Sequence, residues 1–161
     1  MSQPQVIDQQ MLQDLSAQAR VNPRLRKNLN FHTSNEAHCH RLLNALEPGT
    51  YVQPHCHLSV EKDETLFVIS GKIGVLIFDA TGVVLHTCIL AASSDKMGIH
   101  IPLGCFHSMV ALAPGSVFFE AKAGPYVAIT ELERASWAPA ENDPAAPAYL
   151  QLMLGYFSAS E

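Results

Sequence analysis

Between residue 38 and about residue 130, apolar positions fall in short runs of β type separated by turn residues at nearly even intervals. "RLLNALEPGTYVQPHCH" gives two runs divided at Pro48-Gly49, and "TLFVISGKIGVLIFD" gives two more that turn at Ser70-Gly71-Lys72. "DATG" at 79–82 is a tight turn, and the run "VVLHTCILA" follows it. "MGIHIPLGCFHSMVALAPGSVFFEAKAG" supplies three further runs, broken at Pro102-Leu103-Gly104 and at Ala113-Pro114-Gly115. Many short strands of even length, joined through Pro and Gly, predict an all-β body of antiparallel sandwich or barrel type.

The ends of the chain follow a different period. Val6, Ile7, Met11, Leu12 and Leu15 stand at helical spacing within residues 6–20 and predict a short amphipathic helix. After Pro23, "NPRLRKNLNFH" reads as a linker with room for one further helical turn. The basic cluster "ARVNPRLRK" reads as a solvated helix end. Near the other end, Asp143-Pro144 predicts an N-cap with proline at the first helical position. Tyr149, Leu150, Leu152, Met153 and Leu154 would then dock that helix on the barrel or on a second subunit. The expected organisation is a helix and linker over 1–30, a β-barrel over 31–132 and a C-terminal helical extension over 133–161.

Composition narrows the class. Apolar residues make up 48 % of the 161 and charged ones 16 %, which suits one packed domain and argues against disorder. A formal charge of −5 leaves no basic footprint for nucleic acid and nothing to draw the chain to an anionic membrane surface. The first residues lack a basic segment followed by an apolar core, and no apolar run reaches the roughly eighteen residues of a membrane span. A cytoplasmic location is therefore expected. Cys39, Cys56, Cys88 and Cys105 form no C-x-x-C pair and are expected to be reduced.

One stretch carries chemistry that a core does not need. In "VQPHCHLSVEKDETLFVISG", residues 52–71, His55 and His57 stand two apart, so a strand would project both imidazoles to one face. Cys56 would point the other way. A carboxylate follows, and His107 stands three residues after the turn at 102–104, where a barrel can bring it to the same mouth. Such a set suits a first-row transition ion. Of two candidate carboxylates, Glu64 is preferred to Glu61, because the turn at Gly71 anchors its strand register while a loop lengthens freely. Among the eight histidines, His32, His86 and His100 stand singly and read as structural or surface residues. His38 and His40 form a second H-x-H without a paired carboxylate, and a structural role is preferred for them.

Around such an ion, the expected interior wall is Tyr51, Phe67, Phe78, Phe106, Met109 and one of Phe118 and Phe119, since alternate residues change face. Gln53, two before His55, is expected to hydrogen-bond a ligand. Glu120 and Lys122 share a face of the late strand, and a surface ion pair is the preferred reading.

These spacings resemble those of the cupin superfamily. Its first motif reads here as Gly49, "TYVQP", His55-Cys56-His57, "LSVEKD", Glu64, "TLFVIS", Gly71, with a longer gap before the glutamate than the usual three or four residues. Its second, Pro-x-Gly-x-x-His, is met by Pro102, Gly104 and His107, with the upstream glycine displaced to Gly98 and the usual terminal asparagine replaced by Ala111. More narrowly, "RLLNALEPGTYVQPHCH", "DETLFVISGKIGVLIFD", "IPLGCFHSMVALAPGSVFFEAKAGPY" and the trailing "WAP" resemble the WbuC family of small cupins.

That resemblance implies a double-stranded β-helix, or jelly roll, with one divalent transition metal (Fe, Mn, Ni, Co or Zn) held by His55, His57, Glu64 and His107. It also implies a small polar metabolite as ligand and an association with bacterial surface-polysaccharide genes, where a sugar-modifying activity would fit. A non-catalytic metal-dependent sensor, a metal-dependent dioxygenase and a metal-free structural cupin are the alternatives. Cupins commonly pair through sheet edges or terminal segments, so a homodimer is expected.

Overall fold

The structure is a computed structural model and describes residues 3–59 and 62–158. Helix α1 spans Gln9–Val21, and the strands are β1 (Arg26–Asn30), β2 (Cys39–Leu46), β3 (Glu64–Ser70), β4 (Lys72–Phe78), β5 (Val84–Ala91), β6 (Gly98–Ile101), β7 (Phe106–Ala111) and β8 (Ser116–Ala123). Helix α2 spans Ala146–Gly155. Two sheets face each other, one of five strands in the order β1-β2-β8-β3-β6 and one of three in the order β5-β4-β7. Every pairing is antiparallel. Consecutive strands β3 and β4 lie in different sheets, so the chain changes sheet at Gly71. That glycine has φ +72°, and a Cβ there would stand 2.6 Å from the Ser116 Cα, which excludes any side chain.

Alternation along each strand sorts the apolar residues into three layers. Inward-facing Leu46, Leu66, Val68, Ile73, Val75, Leu90, Met109 and Phe118 fill the space between the sheets. The opposite face of β2 and β8 presents Leu43, Ala45, Val117 and Phe119 to Leu12, Leu15 and Ala19 of α1. Helix α1 starts where the Asp8 side chain accepts from the Met11 N–H, 2.9 Å away. The outer face of the small sheet, with Leu76, Phe78 and Val110, is covered by Ala146, Leu150 and Met153 of α2. Among the described residues, no helix is long and apolar enough to cross a membrane.

Several local expectations change. "RKNLN", read as linker, is edge strand β1, paired in register with β2 from Arg26↔Leu46 to Asn30↔Leu42. "YVQPHCH" forms no regular strand; only His55 bridges, to His107 on one side and to Arg134 on the other. Val6 and Ile7 precede α1 and are exposed. Asp143 caps a turn ahead of α2, accepting from Ala145 N–H at 2.8 Å, and Pro147, not Pro144, sits in the first helical turn.

Candidate metal centre

The His55–His57 segment is held from both sides by backbone hydrogen bonds. On the β7 side, His55 N–H donates to the His107 carbonyl (3.0 Å) and His107 N–H donates back (2.8 Å), while Gly104 N–H reaches the His57 carbonyl (2.9 Å). On the other side runs a strap over residues 130–135. Cys56 N–H donates to the Glu133 carbonyl (2.8 Å) and Ala135 N–H to the Pro54 carbonyl (3.0 Å). The Glu133 carboxylate accepts from Leu58 N–H (2.8 Å) and from both the N–H and hydroxyl of Thr130 (2.9 Å each). Those hydrogen bonds, first from Thr130 and then from Leu58, hold the Glu133 carboxyl down to about 2. No sequence pattern marks Glu133, because the strap is neither helical nor alternating.

His55, His57 and His107 each offer one ring nitrogen to a common region in which those atoms lie within 4.8 Å of one another. The tautomers of two rings are fixed. His55 Nδ1 stands 2.9 Å from the Gln53 carbonyl and His107 Nδ1 stands 2.9 Å from the Cys105 carbonyl. A carbonyl only accepts, so each Nδ1 carries a proton, and in the neutral ring each Nε2 presents its lone pair. Burial first, and then the neighbouring His107, pushes the His55 imidazole down to about 3, so it stays neutral near pH 7.

Glu64 opens β3 with its carboxylate against the other two rings. His57 Nε2 lies 2.9 Å from Oε1 and His107 Nε2 lies 3.4 Å from Oε2. Yet both ring nitrogens are buried and make no well-directed hydrogen bond. Close approach of buried donor atoms without hydrogen-bond alignment is the arrangement a cation would resolve, since lone pairs of imidazole and carboxylate then share one centre. Two imidazoles with their far nitrogens tied to carbonyls and a third beside them fit a divalent first-row transition ion; Glu64 lies against His57 and His107 but outside the group whose donor atoms all stand within 4.8 Å of one another. Glu61 lies outside the described residues.

Behind Glu64 stands a polar network that the charge pattern alone would place on the surface. Lys122, opposite Glu64 in the β3–β8 register, places Nζ 2.9 Å from Glu64 Oε1 and 2.6 Å from Glu120 Oε1. Asn44 Nδ2 donates to Glu120 Oε2 at 2.8 Å. Glu120 and Lys122 thus share the inward face of β8 with Phe118, and the surface ion pair is corrected to an interior one. Burial raises the Glu120 carboxyl. For Lys122, burial opposes the charge, but Glu120 and Glu64 outweigh it and the ammonium is held above its ordinary value. Glu64 is likewise opposed by burial, yet His107, His57 and Lys122 hold it well below its ordinary value.

The expected wall residues divide. Met109 and Phe118 face the interior, and Phe119 faces α1. Tyr51 instead packs outside the small sheet, its hydroxyl donating to the Pro139 carbonyl at 2.8 Å. Phe78 and Phe106 also point outward, against Trp137 of the trailing segment, with ring centroids 5.0 and 6.0 Å away. Phe67 is 51 % exposed on the outer face of β3. These four are corrected: one residue of register moves a side chain from one face to the other. Gln53 contributes its carbonyl to His55, while its amide reaches the Ala135 carbonyl at 3.4 Å.

The remaining candidates lie apart from the three-histidine group. His40 is buried and stacks on His32 at 3.9 Å, with Nε2 3.2 Å from the Asn35 carbonyl, and His38 is exposed. His100 Nδ1 lies 3.0 Å from the Thr65 hydroxyl on the outer face, and His86 is exposed. Burial raises the Cys56, Cys88 and Cys105 thiols, so none is an activated thiolate.

Two antiparallel sheets wound as a jelly roll around inward-facing histidines make this a cupin-fold protein. Within that class, the chain belongs to the family described as DUF6016, a domain of unknown function, whose model matches residues 7–90. No curated protein sequence matches it. Among solved structures it is similar to KdgF from Halomonas sp., at 18 % identity over 66 % of this chain and 85 % of that one (TM-score 0.51). It is also similar to the SPY1581 protein of unknown function from Streptococcus pyogenes, at 14 % identity over 79 % of this chain and 93 % of that one (TM-score 0.53). CapF, solved with the inhibitor 3-isopropenyl-tropolone, matches at 20 % identity over 66 % of this chain but only 29 % of its own length (TM-score 0.52). At these identities the likeness is one of fold.

Proposed function

We propose that this cupin holds one divalent transition ion through His55, His57, His107 and Glu64 and uses it to bind a small polar metabolite. The observation that carries this reading is the convergence of three ring nitrogens within 4.8 Å, two of them buried without a hydrogen bond. When bound, the ion would supply Lewis acidity and open coordination positions for oxygen donors. The chain's own part is positional: the Gln53 and Cys105 carbonyls aim two imidazoles, and Lys122 places its ammonium 2.9 Å from Glu64.

The resemblance to WbuC-like cupins supports a sugar or sugar derivative of surface-polysaccharide assembly as the metabolite, with isomerisation, epimerisation or oxidation as the reaction. A second reading, a binding or sensor module, is supported by the scarcity of a free general base. Glu120, the other interior carboxylate beside Glu64, is engaged by Lys122. Metal-loaded protein incubated with a broad metabolite panel separates the two. Metal-dependent turnover lost in His55→Ala supports the enzyme; saturable binding without turnover supports the module. Neither binding nor turnover across the panel contradicts both.

A further inference from the structure

Building on the proposed metal site, we infer that its ligand is an oxygen-donor metabolite carrying an acidic group outside the metal's coordination, which Arg134 engages at the rim. The row of directly opposed residues across the small sheet runs Ile77–His107 and continues through the two bridges to His55 and Arg134. Directly opposed residues of antiparallel strands send their side chains to the same face. Ile77 packs on the interior cluster and His107 is buried there, so Arg134 leaves the backbone on the interior side, one strand beyond His55.

Its guanidinium is not consumed by the fold. The side chain is 45 % exposed, its carboxylate neighbour Glu131 is 3.9 Å away and itself 96 % exposed, and its contact with the Ile129 carbonyl is 3.5 Å. A forked cation so placed suits a carboxylate or phosphate arriving at the mouth.

The test titrates Co(II)-loaded protein with lactate, malate and 2-hydroxyglutarate, read by the visible absorption of the metal. All three offer the ion the same hydroxyl and carboxylate, and the latter two add a second carboxylate on one or two methylenes. At least one diacid is expected to bind about tenfold more tightly than lactate, the scale of a partly exposed charge-assisted hydrogen bond. Arg134→Gln should remove that advantage while leaving Co(II) content and lactate affinity unchanged, and Arg134→Lys should restore part of it. Equal affinity for all three acids, or an advantage that survives Arg134→Gln, overturns the inference while the metal site stands. Failure to take up Co(II) at all overturns the metal reading itself.

Discussion

The hydrogen bond from His107 Nδ1 to the Cys105 carbonyl decides which ring nitrogen can act as a ligand, because with that proton engaged Nε2 alone faces the interior. His55 repeats the device through Gln53. At this scale the three histidines were legible from the His-x-His spacing and the Pro-x-Gly turn before His107, although His55 is held by isolated bridges and not in a regular strand. Glu120 and Lys122 were not, since opposite charges two apart late in a strand look like solvated pairs. Their alternation with Phe118, which must face the core, was the available signal. Lys122 sits between two buried carboxylates, so Lys122→Met should destabilise the metal-free protein by about 3–5 kcal/mol in urea unfolding. Adding Glu120→Gln should recover much of that loss. A cost below about 1 kcal/mol would show that the ammonium is not the counter-charge for these two carboxylates.

Strands β2 to β8 were visible in the sequence because each is a short run of β type bounded by turn residues. Strand β1 was hidden, since "RKNLN" has one apolar side chain and its pairing with β2 comes from the tertiary fold. The strap over residues 130–135 was equally invisible, although it forms one flank of the His55–His57 segment. Its carboxylate gives it a pH signature. Glu133 falls from an ordinary 4.5 to about 2 in the folded chain, so the native state binds fewer protons than the unfolded state between those values. Its contribution is complete above about pH 4.5 and is lost as the pH falls towards 2. Thermal melts at pH 3 and pH 6 should show a larger acid loss for the wild type than for Glu133→Gln. Identical losses would mean that the Thr130 and Leu58 hydrogen bonds do not stabilise the folded state.

For the whole molecule, the jelly roll follows from two faces of every strand having somewhere to go: inward to a shared core, outward to α1 or α2. The motif spacing revealed that fold, while the placement of Tyr51, Phe78 and Phe106 outside it depends on α2 and Trp137, whose docking no local pattern encodes. The central claim is that the closed barrel brings His55, His57, His107 and Glu64 to one cation. Elemental analysis of protein purified without an affinity tag, after loading with each first-row divalent ion and extensive dialysis, tests it most directly. The expected result is one equivalent of a transition metal per wild-type chain and none in His55→Ala combined with His107→Ala, with both proteins folded by circular dichroism. A folded wild-type chain that retains no stoichiometric ion from any of these metals would contradict it.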